Sequence, residues 1–97
     1  MSGVALVVVY DVAEGCKDDL IAGVKRHAEG TLADEEGCVR FDVLVPRDGA
    51  VEVMLYELYR DQAALDEHRA SDRLAKWREA SAEWLNGRQI TVVDLQD

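Results

Sequence analysis

Residues 4–10 read VALVVVY, an apolar, β-branched run without a polar interruption. Successive side chains of a strand point to opposite faces of its sheet, so this run needs cover on both sides. It is too short for the roughly 18 apolar residues of a membrane span. No basic stretch precedes it and no A-x-A exit follows, so no secretory signal is expected. It therefore predicts a central strand, and the rest of the fold must supply two covering layers.

Ala13, Glu14 and Gly15 predict a turn after it. Over 17–33, Leu20, Val24, His27, Ala28 and Thr31 recur at helical spacing, and Gly37 offers a positive φ where that segment ends. Residues 38–45 alternate as a second strand, with Val39, Phe41, Val43 and Val45 on one face and Arg40, Asp42 and Leu44 on the other. Residues 46–50, with the single proline Pro46, predict a hairpin loop. Residues 51–59 form a third strand, with Val53, Leu55, Glu57 and Tyr59 pointing one way and Met54, Tyr56 and Leu58 the other. Asp61 is placed as an N-cap for a helix carrying Ala64, Leu65 and His68 on one side, and Ser71 as a second N-cap, so a break is expected near Ala70. A longer helix should resume with Leu74, Trp77, Ser81, Trp84 and Leu85 in one stripe and close at Asn86 and Gly87. Residues 90–95 make the last strand.

The order β-α-β-β-α-β is the ferredoxin-like α+β arrangement, an antiparallel sheet with its helices on one face. The 97 residues suit a single domain over 1–97. Strands one, three and four are nevertheless apolar on both sides. Leaving five or six such side chains in water would forgo about 10 kcal/mol of burial, comparable to the whole stability of a small domain. A homodimer packed sheet against sheet is the expected cover, and Arg40 and Asp42 are then expected in a salt bridge across that interface.

Charge narrows the partners. Twenty acidic residues against 11 Lys and Arg leave a formal charge of −9. That field opposes nucleic acid and anionic membrane surfaces, and Lys25, Arg26 and His27 are the densest basic patch. Two cysteines, Cys16 and Cys38, in no C-x-x-C pattern fit a reduced, cytoplasmic protein. With the two histidines they match no standard zinc spacing, so no metal is expected. Cys38 opens a buried strand, where a thiol is inert.

The chemistry-bearing candidates are few. His68 falls on the inward side of its helix, in phase with Leu65, and an imidazole titrates near neutrality. Its bland alternative is a helix histidine bonded to a backbone carbonyl. Glu57 interrupts an apolar strand face, where a carboxyl must be paired or protonated; the alternative is a strand-end pair with a surface arginine. His27 lies on the first helix stripe and reads most simply as an edge histidine. Phe41, Tyr56, Tyr59, Trp77 and Trp84 are aromatic candidates for cavity walls, core or subunit contact. Ser71 reads as a cap, not a nucleophile, and no G-x-S-x-G elbow, P-loop or dinucleotide fingerprint occurs.

Three stretches in order, EEGCVRFDVL (35–44), LYELYRD (55–61) and ALDEHRAS (64–71), resemble the antibiotic biosynthesis monooxygenase family. The resemblance covers nearly the whole chain and implies a dimeric α+β barrel working on small molecules with neither metal nor organic cofactor. Its members include quinol and polyketide anthrone oxygenases; EEGCVRFDVL also looks like the isomerase branch acting on phosphorylated autoinducer-2. The haem-degrading branch fits poorly, since 4–10 has no asparagine and no histidine follows His68. Carried over, His68 matches the family's helix histidine, Glu57 the glutamate of the Y-E-x-Y strand, and His27 a first-helix histidine whose register varies. The resemblance implies a cofactor-independent monooxygenase of a small aromatic or quinol-type molecule. His68 would be the base and Glu57 its orienter, with Phe41, Tyr59, Trp77 and Tyr56 around the substrate. An isomerase of a small hydroxyketone and a non-catalytic binding dimer are the alternatives. Were that hydroxyketone phosphorylated, Arg40, Lys25 and Arg26 are the expected basic donors.

Overall fold

The computed structural model describes residues 3–48 and 52–96. In chain order these form β1 (Val4–Val12), α1 (Lys17–Asp34), β2 (Cys38–Leu44), β3 (Glu52–Tyr59), α2 (Gln62–Arg69), α3 (Asp72–Ser81), a 3-10 turn (Ala82–Trp84) and β4 (Leu85–Asp94). The apolar run of β1 lies inside the sheet, paired with β3 on one side and β4 on the other. All pairings are antiparallel, in the order β2-β3-β1-β4. This is the ferredoxin-like α+β fold. None of the described helices is long and apolar enough to cross a membrane.

Alternation sets the two faces. Val4, Leu6, Val8 and Tyr10 turn toward the helices with Val53, Leu55, Glu57 and Tyr59, and all are buried. The α1 stripe seals this face: Leu20, Val24, His27, Ala28 and Thr31 are its buried residues, together with Gly23. Val7, Val9, Met54, Tyr56 and Leu58 look the other way and are half-buried.

Several local expectations are corrected. The stripe from Leu74 to Leu85 is not one helix. The Ser81 hydroxyl donates back to the Trp77 carbonyl at 2.7 Å, an i−4 contact that loosens a helix end. Ala13 N–H then binds the Trp84 carbonyl at 2.8 Å, and the chain enters β4 at Leu85, opposite Val12. Asn86 and Gly87 are thus strand residues, and β4 starts well before residue 90. In β2 the register slips between Cys38 and Arg40, so Cys38 joins Phe41 on the inner side and Val39 is exposed. Strand β2 stops at Leu44, leaving Val45 outside it. Arg40 pairs with Asp42 of its own chain at 2.5 Å. The positive φ belongs to Gly15, at 78°, and not to Gly37. Gly37 is required for another reason: a Cβ there would collide with the Cβ of Ala64 in α2. Gly49 and Ala50 of the hairpin loop, and Val51 of the third strand, lie outside the described residues.

Candidate active site

Helix α2 is pinned at both ends, and this fixes His68. Asp61 accepts the Ala64 N–H at 2.8 Å at its start. At its end the Ser71 hydroxyl donates to the His68 carbonyl at 2.7 Å while accepting the Leu74 N–H of α3. Both caps form as the sequence predicts, and the chain breaks between α2 and α3. The imidazole itself is only 2% exposed.

Its polar neighbours are carboxyl groups. Nδ1 lies 2.8 Å from Glu35 Oε1, and Nε2 lies 3.6 Å from Glu57 Oε1. A carboxylate only accepts, so Nδ1 is the donor toward Glu35, while Nε2 faces Glu57. Glu35 sits just past α1, where its N–H binds the Thr31 carbonyl. Its Oε2 is buried without a hydrogen-bond partner, 3.9 Å from the similarly unpartnered Nε of Arg73. That separation is an ion pair, too long for a hydrogen bond. Arg73 is held in turn by Asp34.

Glu57 is buried at 4% exposure and accepts the Tyr59 hydroxyl at 2.6 Å. Burial pushes its carboxyl pKa up, against the opposing effects of the Tyr59 hydrogen bond and of the charge His68 carries when protonated. The Tyr59 phenol is likewise raised, first by burial and then by the Glu57 charge. Behind them, His27 stacks on Trp77 (ring centroids 5.3 Å, 13° between planes) and meets the edge of Phe41 at 5.6 Å. Burial lowers the His27 pKa to about 4, helped by the charge His68 carries when protonated and by that of Arg73. Burial also lifts Cys38 to about 11, so its thiol stays protonated.

These groups border a cavity of about 230 Å³ between the helices and the β1–β4 side of the sheet. Glu57 and His68 line it together with Leu6, Val8, Leu74 and Trp77. The Trp77 indole N–H donates to the Tyr10 hydroxyl at 3.1 Å, which brings a phenol to the same wall, its pKa raised by burial. Strand β4 is the open side. Ile90 and Val92 stand opposite Val8 and Leu6 on the inner face, yet they are 41% and 48% exposed. Among the described residues, no group of three or more His, Cys, Asp or Glu is arranged to hold a metal ion.

Residues 3–80 match the antibiotic biosynthesis monooxygenase family. The chain belongs to that family. A 61-residue stretch is 41% identical to a Mycobacterium tuberculosis protein named "Putative monooxygenase Rv0793", covering 63% of this chain and 58% of that protein. The solved structure of Rv0793 superposes with a TM-score of 0.87 at 30% identity, covering 98% of this chain and 96% of the other. A Caulobacter crescentus structure described as a "putative antibiotic biosynthesis monooxygenase" gives 0.92 at 18% identity over 99% and 92% of the two chains, and bears on the fold alone. Family and names together support a monooxygenase-like function on small molecules.

Within this family member, the expected site residues separate into groups. His68, Glu57 and Trp77 reach the cavity. Tyr59 and His27 stand behind them, and Phe41 lies behind His27. Tyr56 is corrected: strand alternation puts it on the outer sheet face, opposite Asp42 and Val7 and away from the cavity. Arg40 and Lys25 border a separate groove between α1 and β2, so they offer the cavity no charge, and Arg26 does not line it either. The partner hydrogen-bonded to His68 is Glu35 rather than Glu57, a contact spanning 33 positions that no local pattern announces. Tyr10 closes an apolar run and reads as core in the sequence. Arg69, Arg78 and Arg88 lie on three different elements and carry no shared motif.

Proposed function

We propose that this chain is a cofactor-independent monooxygenase of a small aromatic or quinol-type molecule, with His68 as its base. The observation that carries the reading is the 2.8 Å contact of His68 Nδ1 with Glu35 beside a largely apolar cavity, which leaves Nε2 to take a proton. A phenol, quinol or activated CH2 group gives its proton to Nε2, and Glu35 stabilises the imidazolium formed. The resulting phenolate or enolate passes an electron to dioxygen, and the two radicals join as a carbon–oxygen bond. Where the attacked carbon keeps a hydrogen, as an activated CH2 or an unsubstituted ring position of a phenol does, the peroxide then loses water across that C–H. One oxygen atom stays as a carbonyl and the other leaves as water, with both hydrogens and all four electrons drawn from the substrate. Trp77 and Tyr10 form walls in this reading; Tyr59, His27 and Phe41 hold the reacting groups in place from behind.

A second reading is favoured by the 3.6 Å approach of Glu57 to Nε2, which sets two proton carriers side by side. Such a pair returns a proton at a neighbouring carbon and isomerises a small hydroxyketone. An oxygen electrode with hydroquinone- and anthrone-type substrates separates the two. Uptake by the wild type that disappears in His68→Ala supports the oxygenase. Full uptake in His68→Ala overturns the assigned base. Solvent deuterium entering a hydroxyketone without oxygen uptake favours the isomerase, and neither activity leaves a small-molecule-binding dimer.

We also propose a homodimer, closed by the outer sheet face around Val7, Val9, Met54 and Leu58. None of these is fully buried within one chain, and the helices lie on the other face. The free thiols of Cys16 and Cys38 fit a reducing cytoplasm.

A further inference from the structure

In a chain of net charge −9, three arginines from separate elements meet around one opening: Arg69 of α2, Arg78 of α3 and Arg88 of β4 all line the cavity that His68 and Glu57 reach. All three are exposed, and among the described residues none forms an ion pair. The contrast with Arg40, Arg60 and Arg73 is direct, since each of those is matched to an Asp or Glu. Arg26 is exposed and without an ion pair as well, so what sets these three apart is that guanidinium groups from three separate elements gather at one cavity. Their field reaches inside: Arg78 and Arg88 act on the Tyr10 hydroxyl, and Arg78 acts on Glu57.

Size supplies the second constraint. An apolar cavity of about 150 Å³ takes one benzene molecule. The about 230 Å³ here holds a single ring with its substituents, and falls below the roughly 300 Å³ at which drug-sized pockets begin.

The geometry points to a one-ring phenol or quinol bearing a carboxylate or phosphate, its ring against Trp77 and its anionic group held by Arg69, Arg78 and Arg88. Guanidinium forks match both oxyanions, so the shared chemistry is an oxyanion on a single aromatic ring. Placing the charge at the mouth leaves the phenolic end to reach His68 and Glu57. This substrate class rests on the oxygenase reading above, but its binding does not require turnover.

Calorimetric titration of the full chain with hydroquinone, with gentisate (the same ring plus a carboxylate) and with hydroquinone monophosphate tests it. Gentisate or the monophosphate should bind at least about tenfold more tightly than hydroquinone, with the preference shrinking as salt rises. Whichever anion binds more tightly identifies the oxyanion source. Arg78→Gln/Arg88→Gln, on exposed positions, should erase the preference while hydroquinone affinity stays level. Equal or tighter binding of neutral hydroquinone overturns the proposal, as does a preference that survives in the double variant or is indifferent to salt. Tight gentisate binding without oxygen uptake leaves the anion site standing and removes the oxygenase reading. Oxygen uptake with hydroquinone alone does the reverse.

Discussion

His27→Phe offers the sharpest energetic test, because it isolates one buried titration. The folded-state pKa of His27 lies at about 4, below the ordinary 6.5. Between those values the unfolded chain takes up a proton that the folded chain refuses, so acid favours unfolding. The stabilisation is therefore present in full above pH 6.5 and is lost as pH falls toward 4. At about 1.4 kcal/mol per pKa unit, the full loss is about 3 kcal/mol, of which about 2.5 kcal/mol is gone by pH 4.5. Phenylalanine keeps a ring to stack on Trp77 and cannot titrate. Urea unfolding at pH 7 and pH 4.5, followed by tryptophan fluorescence at one fixed protein concentration, measures the difference. With an m-value of about 1–1.5 kcal/mol per molar urea, the wild-type midpoint should fall by roughly 2 M more than that of the variant. Glu57 works in the opposite sense: its raised pKa costs stability at neutral pH and the cost is relieved in acid. That contribution is common to both proteins and cancels in the comparison. Equal losses in wild type and variant would refute a His27 held neutral by burial.

Three further outcomes are expected. Glu35→Gln removes the anionic partner of His68 Nδ1; turnover should drop at least about tenfold, and nitrogen NMR should show the imidazole losing its single Nδ1–H tautomer. Turnover and tautomer both unchanged would contradict the orienting role. Gly37→Ala forces a methyl group into the Cβ of Ala64 and should cost about 1–3 kcal/mol in thermal or urea unfolding. Val7→Asp puts a charge on the outer face of a central strand. Sedimentation at micromolar concentration should find a dimer for wild type and a monomer for the variant, with unchanged helical circular dichroism; a wild-type monomer defeats the proposed interface.

Much of this molecule is legible locally. The period of two in β1 and β3 by itself separates Glu57 and Tyr59 from Tyr56 and Leu58. The helical spacing of α1 yields its buried stripe, and Asp61 and Ser71 announce their caps by residue type and position. Each depends on interactions between residues within a turn or two of one another. The same local logic fails where distant backbone competes. Leu85, Asn86 and Gly87 fit the end of a helical stripe, yet hydrogen bonding along the full length of β1 draws them into β4. One extra residue in β2 turns Val39 outward, because a bulge is set by the partner strand's register and not by the bulged strand's own alternation.

The chain by itself determined its element order, its inner and outer strand faces, and His68 and Glu57 as the polar intruders on the inner side. Tertiary packing alone decided which carboxyl grips the imidazole, that Tyr10 joins the cavity wall, and that arginines from α2, α3 and β4 share its mouth. The reason is range. Periodicity records which side of its own element a residue takes, whereas a site is a meeting of elements, and its members need share no pattern along the chain.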